Sequence, residues 1–383
     1  MHVHLLIPSL FWPDPTLPEI YQGLSLPALQ NLIAKSTRTV EPALDADAWL
    51  CRAFGLAQQG QNDLPIAAIT LQAETAESTR RSGFSPTSLT VGLKPNLLRA
   101  DPVSIRIERD QMLLADSRAF SLTQAEADAL AQTINQHFST PPFAKGGQGG
   151  DGASLDFGLS TFPPFAKGGQ GGFEVLPLHP TRWYLRLPER PALQTHTLAQ
   201  AAGRNIRALL PRGDDSQKWH GLFNEIQMLL FDHPVNLARE ARGAPLINSV
   251  WFWGGGVLPT DMRPPAGHVW SNDFLVQALM HAAGSEADPL PADASVYPVA
   301  VAGDHLLVLD ALDGWATYGD AYHWREALLQ FEKNWFAPLL AALKQGQGGL
   351  KKITITALGD NGVENFAVTR SDLWKFWKTG KYP

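Results

Sequence analysis

Short apolar runs of strand length stand near both ends of the chain, and helical patterns separate them. HLLIP begins at His4, and KKITITALGD begins at Lys351. Between them, LPALQNLIAKS has apolar residues at helical spacing, and PIAAITL, which begins at Pro65, predicts a short buried strand. Strands that alternate with helices are typical of an α/β protein with a parallel sheet. We therefore expect both ends of the chain to contribute to one sheet, with a middle domain between them.

The composition is that of an ordinary globular protein. The 383 residues are 44% hydrophobic and 18% charged, which allows two domains or one domain with a large insertion. The net charge of −6 offers no basic surface for nucleic acid, so we expect no nucleic-acid partner. A single cysteine, Cys51, cannot build a disulfide framework. Because the first residues lack a signal-peptide pattern and no apolar run could span a bilayer, we expect a cytoplasmic protein without a membrane partner.

One segment is a repeat. The sequence PPFAKGGQGG stands at residues 141–150 and again at 163–172. Residues 140–172 are rich in glycine and proline and poor in core-forming residues, so we expect a flexible loop. A phosphate-binding loop would need a Lys-Ser/Thr end and a preceding strand, which this segment lacks. We interpret it as a duplicated insertion without a catalytic role.

The stretch from His233 to Gly256 combines features of an anion-binding site. It contains Asn236, Arg239 and Arg242, then the strand-like run INSVWFW, and it ends in three glycines. Arginine side chains bind carboxylate and phosphate groups through two parallel hydrogen bonds, and glycines allow a backbone to approach a ligand closely. A plainer alternative is a helix, a loop and an aromatic core strand with solvated arginines.

This stretch resembles a segment of archaeal-type, cofactor-independent phosphoglycerate mutases, in which an H-P-x-N-x-x-R-x-x-x-G run precedes a glycine-ended strand. It is more similar still to the RpfE-type family of proteobacterial proteins, divergent relatives of those mutases, in which NSVWFWGGG is a signature. NEIQMLLFDHPVN, from Asn224, and DPVSIRIERDQMLLADSRAFSLTQAEADAL, from Asp101, are similar to the same family. The resemblance implies an alkaline-phosphatase-like α/β core sheet with helices on both faces and an inserted smaller α/β domain. The implied core segments are 1–92 and 251–383, with the inserted domain at 93–250.

Archaeal-type mutases use two divalent metals and a serine nucleophile, and this sequence departs from that pattern. Pro8 and Ser9 occupy the family's Asp-Gly position, and Thr317 stands where the family has a histidine. The aspartates at or near the family's catalytic positions are Asp45, Asp47, Asp313 and Asp360. His2 and His4 are interpreted as a surface pair. Carboxylates without imidazole partners are not expected to hold a two-metal centre, so we expect no phosphoryl transfer by the usual mechanism and no cofactor.

The positions that bind the substrate anion in the related mutases are better matched. They correspond to Arg106, Arg118, Arg182 and Arg239. Asn236 and the turn Gly254, Gly255 and Gly256 complete the set of residues expected to form a pocket. The resemblance therefore predicts a pocket for a small phosphorylated or carboxylate metabolite.

Three hypotheses remain open at this point. The leading one is a catalytically silent, phosphoglycerate-mutase-like protein that binds a small anionic metabolite, with a regulatory role implied by the family alone. The second is a divergent mutase or phosphatase with an all-carboxylate Mg²⁺ or Mn²⁺ site, built from Asp45, Asp47, Asp310, Asp313 and Asp360. The third is a protein-interaction module that binds a protein partner through Trp374, Phe376 and Trp377.

Overall fold

The computed structural model describes residues 1–56, 63–82, 96–139, 173–294, 302–375 and 377–378. The strands are β1 His2–Pro8, β2 Thr37–Glu41, β3 Leu97–Glu108, β4 Gln111–Ala115, β5 Glu174–His179, β6 Arg182–Arg186, β7 Ser249–Trp253, β8 His268–Trp270, β9 Asp304–Val308, β10 Lys352–Gly359 and β11 Gly362–Thr369. The α-helices are α1 Pro27–Lys35, α2 Ala46–Ala53, α3 Ile66–Ser82, α4 Gln124–Ser139, α5 Leu198–Ala201, α6 Ser216–Phe231, α7 Pro234–Ala241, α8 Phe274–Ala282, α9 Asp313–Thr317, α10 Ala321–Phe331 and α11 Ala337–Gln345. Single helical turns of other types cover Pro18–Tyr21, Ile206–Ala208, Glu332–Phe336, Gln347–Gly349 and Ser371–Trp374.

The chain divides into two compact units. The first consists of Met1–Ala57 and Pro259–Pro383, and the second consists of Gln58–Leu258. These limits differ from the expected ones at residues 92/93 and 250/251. Helix α3 belongs to the second unit because it lies against β3, and the backbone N–H of Ala67 donates to the carbonyl of Gly254 at 2.9 Å.

The first unit contains a six-stranded sheet in the order β2-β11-β10-β1-β9-β8. The four strands β10, β1, β9 and β8 are parallel, whereas β11 runs antiparallel to both of its neighbours, β10 and β2. Apolar residues of β1 at alternate positions, Val3, Leu5 and Ile7, point into one core with α1, α10 and α11. Helix α2 covers the opposite face, where Trp49 contacts His4. The expected α/β class, with a sheet flanked by helices on both faces, is confirmed.

The long C-terminal helical segment supplies much of that core. Trp324, Leu328, Phe331 and Trp335 recur at helical spacing, and all four are buried. Between α10 and α11 the helix widens over Glu332–Phe336. The Glu332 carboxylate accepts hydrogen bonds from the N–H groups of Ala28 and Leu29, at 2.6 and 3.0 Å. This buried carboxylate therefore caps the N-terminus of α1, whose own flanking residue Leu26 has no capping side chain.

The second unit contains a sheet in the order β4-β3-β6-β5, and β7 pairs with β3. Helices α4 and α6 cover one face of it, where Trp183, Trp219 and Phe252 lie in one core. At the start of α4, the Glu126 side chain accepts from the Thr123 N–H at 2.9 Å, and the Glu126 N–H donates to the Thr123 hydroxyl at 3.3 Å. This is the capping arrangement that the spacing of Thr123 and Glu126 indicates.

One element differs from its prediction. PIAAITL, expected as a strand, forms the start of α3. The Pro65 carbonyl accepts from the Ile69 N–H, and the hydroxyls of Thr70 and Thr75 donate to the carbonyls four residues earlier. A short apolar run does not by itself distinguish a buried strand from a buried helix. The repeat-bearing segment at 140–172 lies outside the described residues. Within the described ranges, no helix has the length and apolarity needed to cross a bilayer.

Candidate functional site

The carboxyl end of β1 is the point where ligands are most expected in this sheet. The strand lies between β9 and β10, and the chain passes from β9 through α9, α10 and α11 to β10 on its other side. In open α/β sheets, ligands bind outside the carboxyl ends of strands at such a reversal of strand order. Ser9, the first residue after β1, stands there.

Ser9 is held in an unusual conformation by three hydrogen bonds. Its φ of 56° is positive, which is uncommon for a residue other than glycine. Its N–H donates to the Leu358 carbonyl and its carbonyl accepts from Trp324 Nε1, both at 2.9 Å. Its hydroxyl donates to Asp313 Oδ1 at 2.8 Å. Backbone strain of this kind is found often at functional sites, and the sequence signal available was the position directly after the first strand.

The aspartates considered as metal ligands have other surroundings. Asp45 is the N-cap of α2 and accepts from the Ala48 N–H at 3.0 Å, and Asp47 lies in the first turn of that helix. Asp313 begins α9 and accepts from Ser9, and Asp310 and Asp360 are exposed. Within the described ranges, no three histidine, cysteine or acidic side chains form a group able to hold a metal ion. The convergence that an all-carboxylate metal site would require is therefore not observed among the described residues.

His2 and His4 lie within β1 and are not the surface pair that the sequence suggested. Their rings stack at 6.0 Å, and they hydrogen-bond the hydroxyls of Thr354 and Thr356 on β10 at 2.9 and 2.7 Å. Burial, with smaller contributions from His2 and Lys352, lowers the pKa of His4 to about 4. These histidines are therefore neutral parts of the sheet face that α2 covers.

The one cysteine is not a nucleophile candidate. Cys51 is 0% exposed on α2. Burial, together with the charges of Asp47 and Asp45, raises the pKa of its thiol well above its usual value. The reactive thiolate form is consequently suppressed.

Asn236 and Arg239 of α7 are buried and are bonded within the protein. Arg239 donates from Nε to the Pro245 carbonyl at 2.7 Å, from Nη2 to the Ser121 carbonyl at 2.9 Å, and from Nη1 to Glu126 at 3.2 Å. Asn236 bonds the backbone of Leu230 and Ile247. These two side chains were expected to face a ligand. In the structure they instead bond neighbouring protein segments and hold α7 against them.

The other predicted arginines are not gathered into one pocket. Arg182 pairs with Glu74 at 2.6 Å, and Arg118 pairs with Asp116 at 2.9 Å. Arg106 on β3 is exposed and has no ion-pair or hydrogen-bond partner among the described residues. It lines a cavity of about 300 Å³, together with Ser104, Asn248 and the loop at 243–246. Of the predicted arginines, Arg106 is therefore the one whose guanidinium remains available to a ligand in a cavity.

The three-glycine turn is explained by close packing. A Cβ atom on Gly255 would lie 2.5 Å from the Leu98 side chain, and one on Gly256 would lie 2.8 Å from Pro65 Cα. Gly254 has a φ of +70° and lies near Ile66. These glycines allow the end of β7 to approach neighbouring protein, so their presence does not require a ligand.

A buried ion pair in the second unit was not found from the sequence. Arg99 and Asp101 on β3 pair at 2.6 Å with side-chain exposures of 6% and 1%. Asp101 also accepts from Trp253 Nε1 at 2.8 Å and from the Trp183 N–H at 3.0 Å. The pattern Arg-x-Asp in a buried strand was the available signal. Because its donors and acceptors are satisfied internally, the pair is a structural element of the sheet.

Two aromatic side chains near the C-terminus are exposed. Trp374 is 81% exposed and Trp377 is 67% exposed. Phe376, predicted to join them, lies outside the described residues.

The chain is an α/β protein of two units, and a short segment of it is similar in sequence to known proteins. No protein-family model matches the chain. A segment of 57 residues, 15% of the chain, is 40% identical to 2,3-bisphosphoglycerate-independent phosphoglycerate mutase of Methanosarcina mazei. A segment of 50 residues is 44% identical to the mutase of Methanosarcina acetivorans, and one of 58 residues is 34% identical to a probable mutase of Geobacter sulfurreducens. These matches span 13–14% of the length of the relatives.

Two solved structures are similar over a larger part of the chain. A cofactor-independent phosphoglycerate mutase from Thermoplasma acidophilum is 14% identical with a TM-score of 0.44, over 99% of this chain and 92% of that one. A protein from Pyrococcus horikoshii is 13% identical with a TM-score of 0.48, over 99% of this chain and 90% of that one.

Proposed function

We propose that this chain is a phosphoglycerate-mutase-like protein that has lost two-metal phosphoryl transfer and binds a small anionic metabolite. The observation that carries the proposal is the contact between Ser9 and Asp313 at the carboxyl end of β1. An aspartate at this edge that accepts a serine hydroxyl has one oxygen committed to a protein contact. Thr317 cannot supply an imidazole ligand. A regulatory role and a cytoplasmic location complete the proposal, and they rest on the resemblance to the RpfE-type family and on the single cysteine.

A direct assay tests the catalytic part. Interconversion of 2- and 3-phosphoglycerate, measured with Mn²⁺ or Mg²⁺ present, should stay at background. Turnover that disappears in the Asp313→Ala variant would contradict the proposal of a catalytically silent protein. It would instead favour a metal-dependent enzyme.

The ligand part is supported by the surroundings of Arg106. Its guanidinium has no ion-pair partner in the described part of the chain, and it lines a cavity large enough for a three-carbon acid. Glu240 lines the same cavity and opposes an anion. The balance of these two charges predicts modest affinity for a small anion, and opposite effects when each charge is removed.

Calorimetry with 3-phosphoglycerate and phosphoenolpyruvate tests this balance. Arg106→Ala should weaken binding about tenfold, since a charge-assisted hydrogen bond contributes roughly 1.5–3 kcal/mol. Arg106→Lys should recover only part of the loss, because an ammonium lacks the planar fork. Glu240→Gln should strengthen binding. The matched control is Arg207→Ala, an exposed arginine outside the cavity. Equal affinity in all four variants would place the ligand elsewhere.

A second candidate function is a divergent phosphatase or mutase. It is favoured by the strained Ser9, whose hydroxyl lies 2.8 Å from a carboxylate at a site where α/β proteins bind ligands. Mg²⁺ or Mn²⁺ would take part only under this candidate. Hydrolysis of a phosphate monoester that is lost in Ser9→Ala but kept in Ser285→Ala, a partly exposed serine outside the site, would support it. Equal rates in both variants would exclude it.

A further inference from the structure

Two cationic side chains stand opposite each other at one end of a strand pair. The last paired residues of β10 and β11 are Lys352 and Thr369. The next residues outward are Lys351 and Arg370, and the Arg370 N–H donates to the Lys351 carbonyl at 3.4 Å. Both residues are exposed. They lie at the amino end of β10, whereas Ser9 lies at the carboxyl end of its parallel neighbour β1.

Among the described residues, no acidic side chain pairs with either cation. Neither side chain has an ion-pair or hydrogen-bond partner among the described residues, and no acidic residue lines the pocket between them. The acidic residue nearest in sequence, Asp372, is already engaged: hydrogen bonds from Lys375 and Thr369 lower its pKa to about 2. Like charges on opposite residues of an antiparallel pair repel each other, so a bound anion would relieve an existing unfavourable interaction.

The local backbone leaves room for the guanidinium. Gly346 is the C-cap residue that follows α11, and it has a φ of +67°. A Cβ atom on Gly346 would lie 2.8 Å from Arg370 Nη1. The positive φ favours glycine at this position, and a larger residue would displace the Arg370 guanidinium. The pocket has a volume of about 440 Å³, and the side chains of Thr369 and Ser371 line it beside the two cations.

We propose that this Lys351–Arg370 pocket binds the phosphate group of a small soluble molecule. The arginine supplies two parallel donors to phosphate oxygens, and the lysine supplies a mobile positive charge. The site is independent of the proposed ligand at Arg106, because no residue is common to the two.

The experiment uses the full chain carrying Arg106→Ala, so that the other proposed site does not contribute. Inorganic phosphate is titrated by calorimetry at constant ionic strength, with chloride as the balancing ion. Saturable binding is expected, with at least a tenfold loss in Arg370→Ala and in Lys351→Ala, and partial recovery in Arg370→Lys. Lys344→Ala, an exposed cation on α11 that does not line the pocket, should bind like the parent.

Two further measurements show whether the bound phosphate group belongs to a soluble molecule or to a lipid. A soluble phosphate monoester such as 3-phosphoglycerate should compete with inorganic phosphate. Vesicles of phosphatidylcholine with phosphatidic acid should not retain the protein more than vesicles of phosphatidylcholine alone. Three outcomes would overturn the proposal. They are the absence of saturable phosphate binding, an unchanged affinity in both Arg370→Ala and Lys351→Ala, and retention on phosphatidic acid vesicles without binding of free phosphate.

Discussion

Arg239 Nη1 lies 3.2 Å from Glu126 Oε1, and the arginine side chain is 1% exposed. Arg242 pairs with the same carboxylate from the surface. Arg239, one of the four arginines predicted to bind an anion, thus joins α7 to the start of α4. Its other donors bond two backbone carbonyls, so its contribution is to the stability of the second unit.

Arg239→Ala should therefore destabilise the protein. Removing one partner of a buried ion pair, and leaving two carbonyls without donors, should cost roughly 3 kcal/mol of the free energy of unfolding. Arg239→Lys should recover only a small part of the lost stability. Urea unfolding measures the loss, and calorimetry with 3-phosphoglycerate should show unchanged affinity in the variant. A stable variant with weakened ligand binding would restore the ligand role of Arg239.

Glu126 should make the protein sensitive to strong acid. Although partial burial opposes the shift, hydrogen bonds from Thr123 and Arg242 and the charge of Arg239 lower the pKa of Glu126 from 4.5 to about 2. A carboxyl with a lowered pKa stabilises the fold above its unfolded pKa, and this contribution is lost as the pH falls from about 4.5 towards 2. Glu126→Gln should flatten the pH dependence of unfolding in that window. If the free energy of unfolding of the variant depended on pH as steeply as that of the parent, Glu126 would not be the group responsible.

Protonation of His4 should affect stability at higher pH than protonation of Glu126. Its pKa falls from 6.5 to about 4 because it is buried, so the unfolded chain binds a proton that the folded chain excludes. Stability is complete above pH 6.5 and decreases as the pH falls towards 4, by up to about 3 kcal/mol. His4→Gln, which can still bond Thr356, should remove this decrease. The urea midpoints of both proteins, measured between about pH 7 and pH 4, would show this difference. If the midpoints of the two proteins changed with pH in parallel, the prediction would be contradicted.

Gly256→Ala should destabilise the second unit by about 1–3 kcal/mol, because the added methyl group meets Pro65. A Cβ atom there would lie 2.7 Å from Pro65 Cβ and 2.8 Å from its Cα. The matched control is Gly359→Ala, since nothing lies within 4 Å of a Cβ atom at Gly359. Thermal unfolding of the two variants tests the prediction. Equal melting temperatures would mean that the turn has space to accommodate a side chain.

Deleting residues 141–172 should change the free energy of unfolding by less than about 1 kcal/mol, because loop length contributes weakly to closure entropy. The segments on either side are held together independently of the insert. Asn135 on α4 donates to the Val175 carbonyl at 2.8 Å and accepts from the Val175 N–H at 2.7 Å. A short Gly-Ser linker should replace the repeat, with urea unfolding as the measure. A loss of several kcal/mol would show that the insert contributes to the folded core.

Local features were predictable from the sequence because they depend on residues a few positions apart. Thr123 and Glu126, three residues apart, form the cap of α4, and Pro234 stands at the first position of α7, where a new helix begins after α6. The apolar faces of β1 and α10 follow the spacing of their residues. The α/β class follows from the alternation of these elements.

Only the tertiary structure decided which polar side chains are free. Arg239 bonds Ser121, and Ser9 bonds Asp313, across separations of 118 and 304 residues that no local pattern encodes. The same holds for PIAAITL, which becomes a helix because of where it is buried, and for the aspartates, whose spacing in sequence does not bring them together. Sequence pattern specifies local conformation through short-range sterics and hydrogen bonds. Which charges are paired and which remain available to a ligand depends on contacts that exist only after the chain has folded.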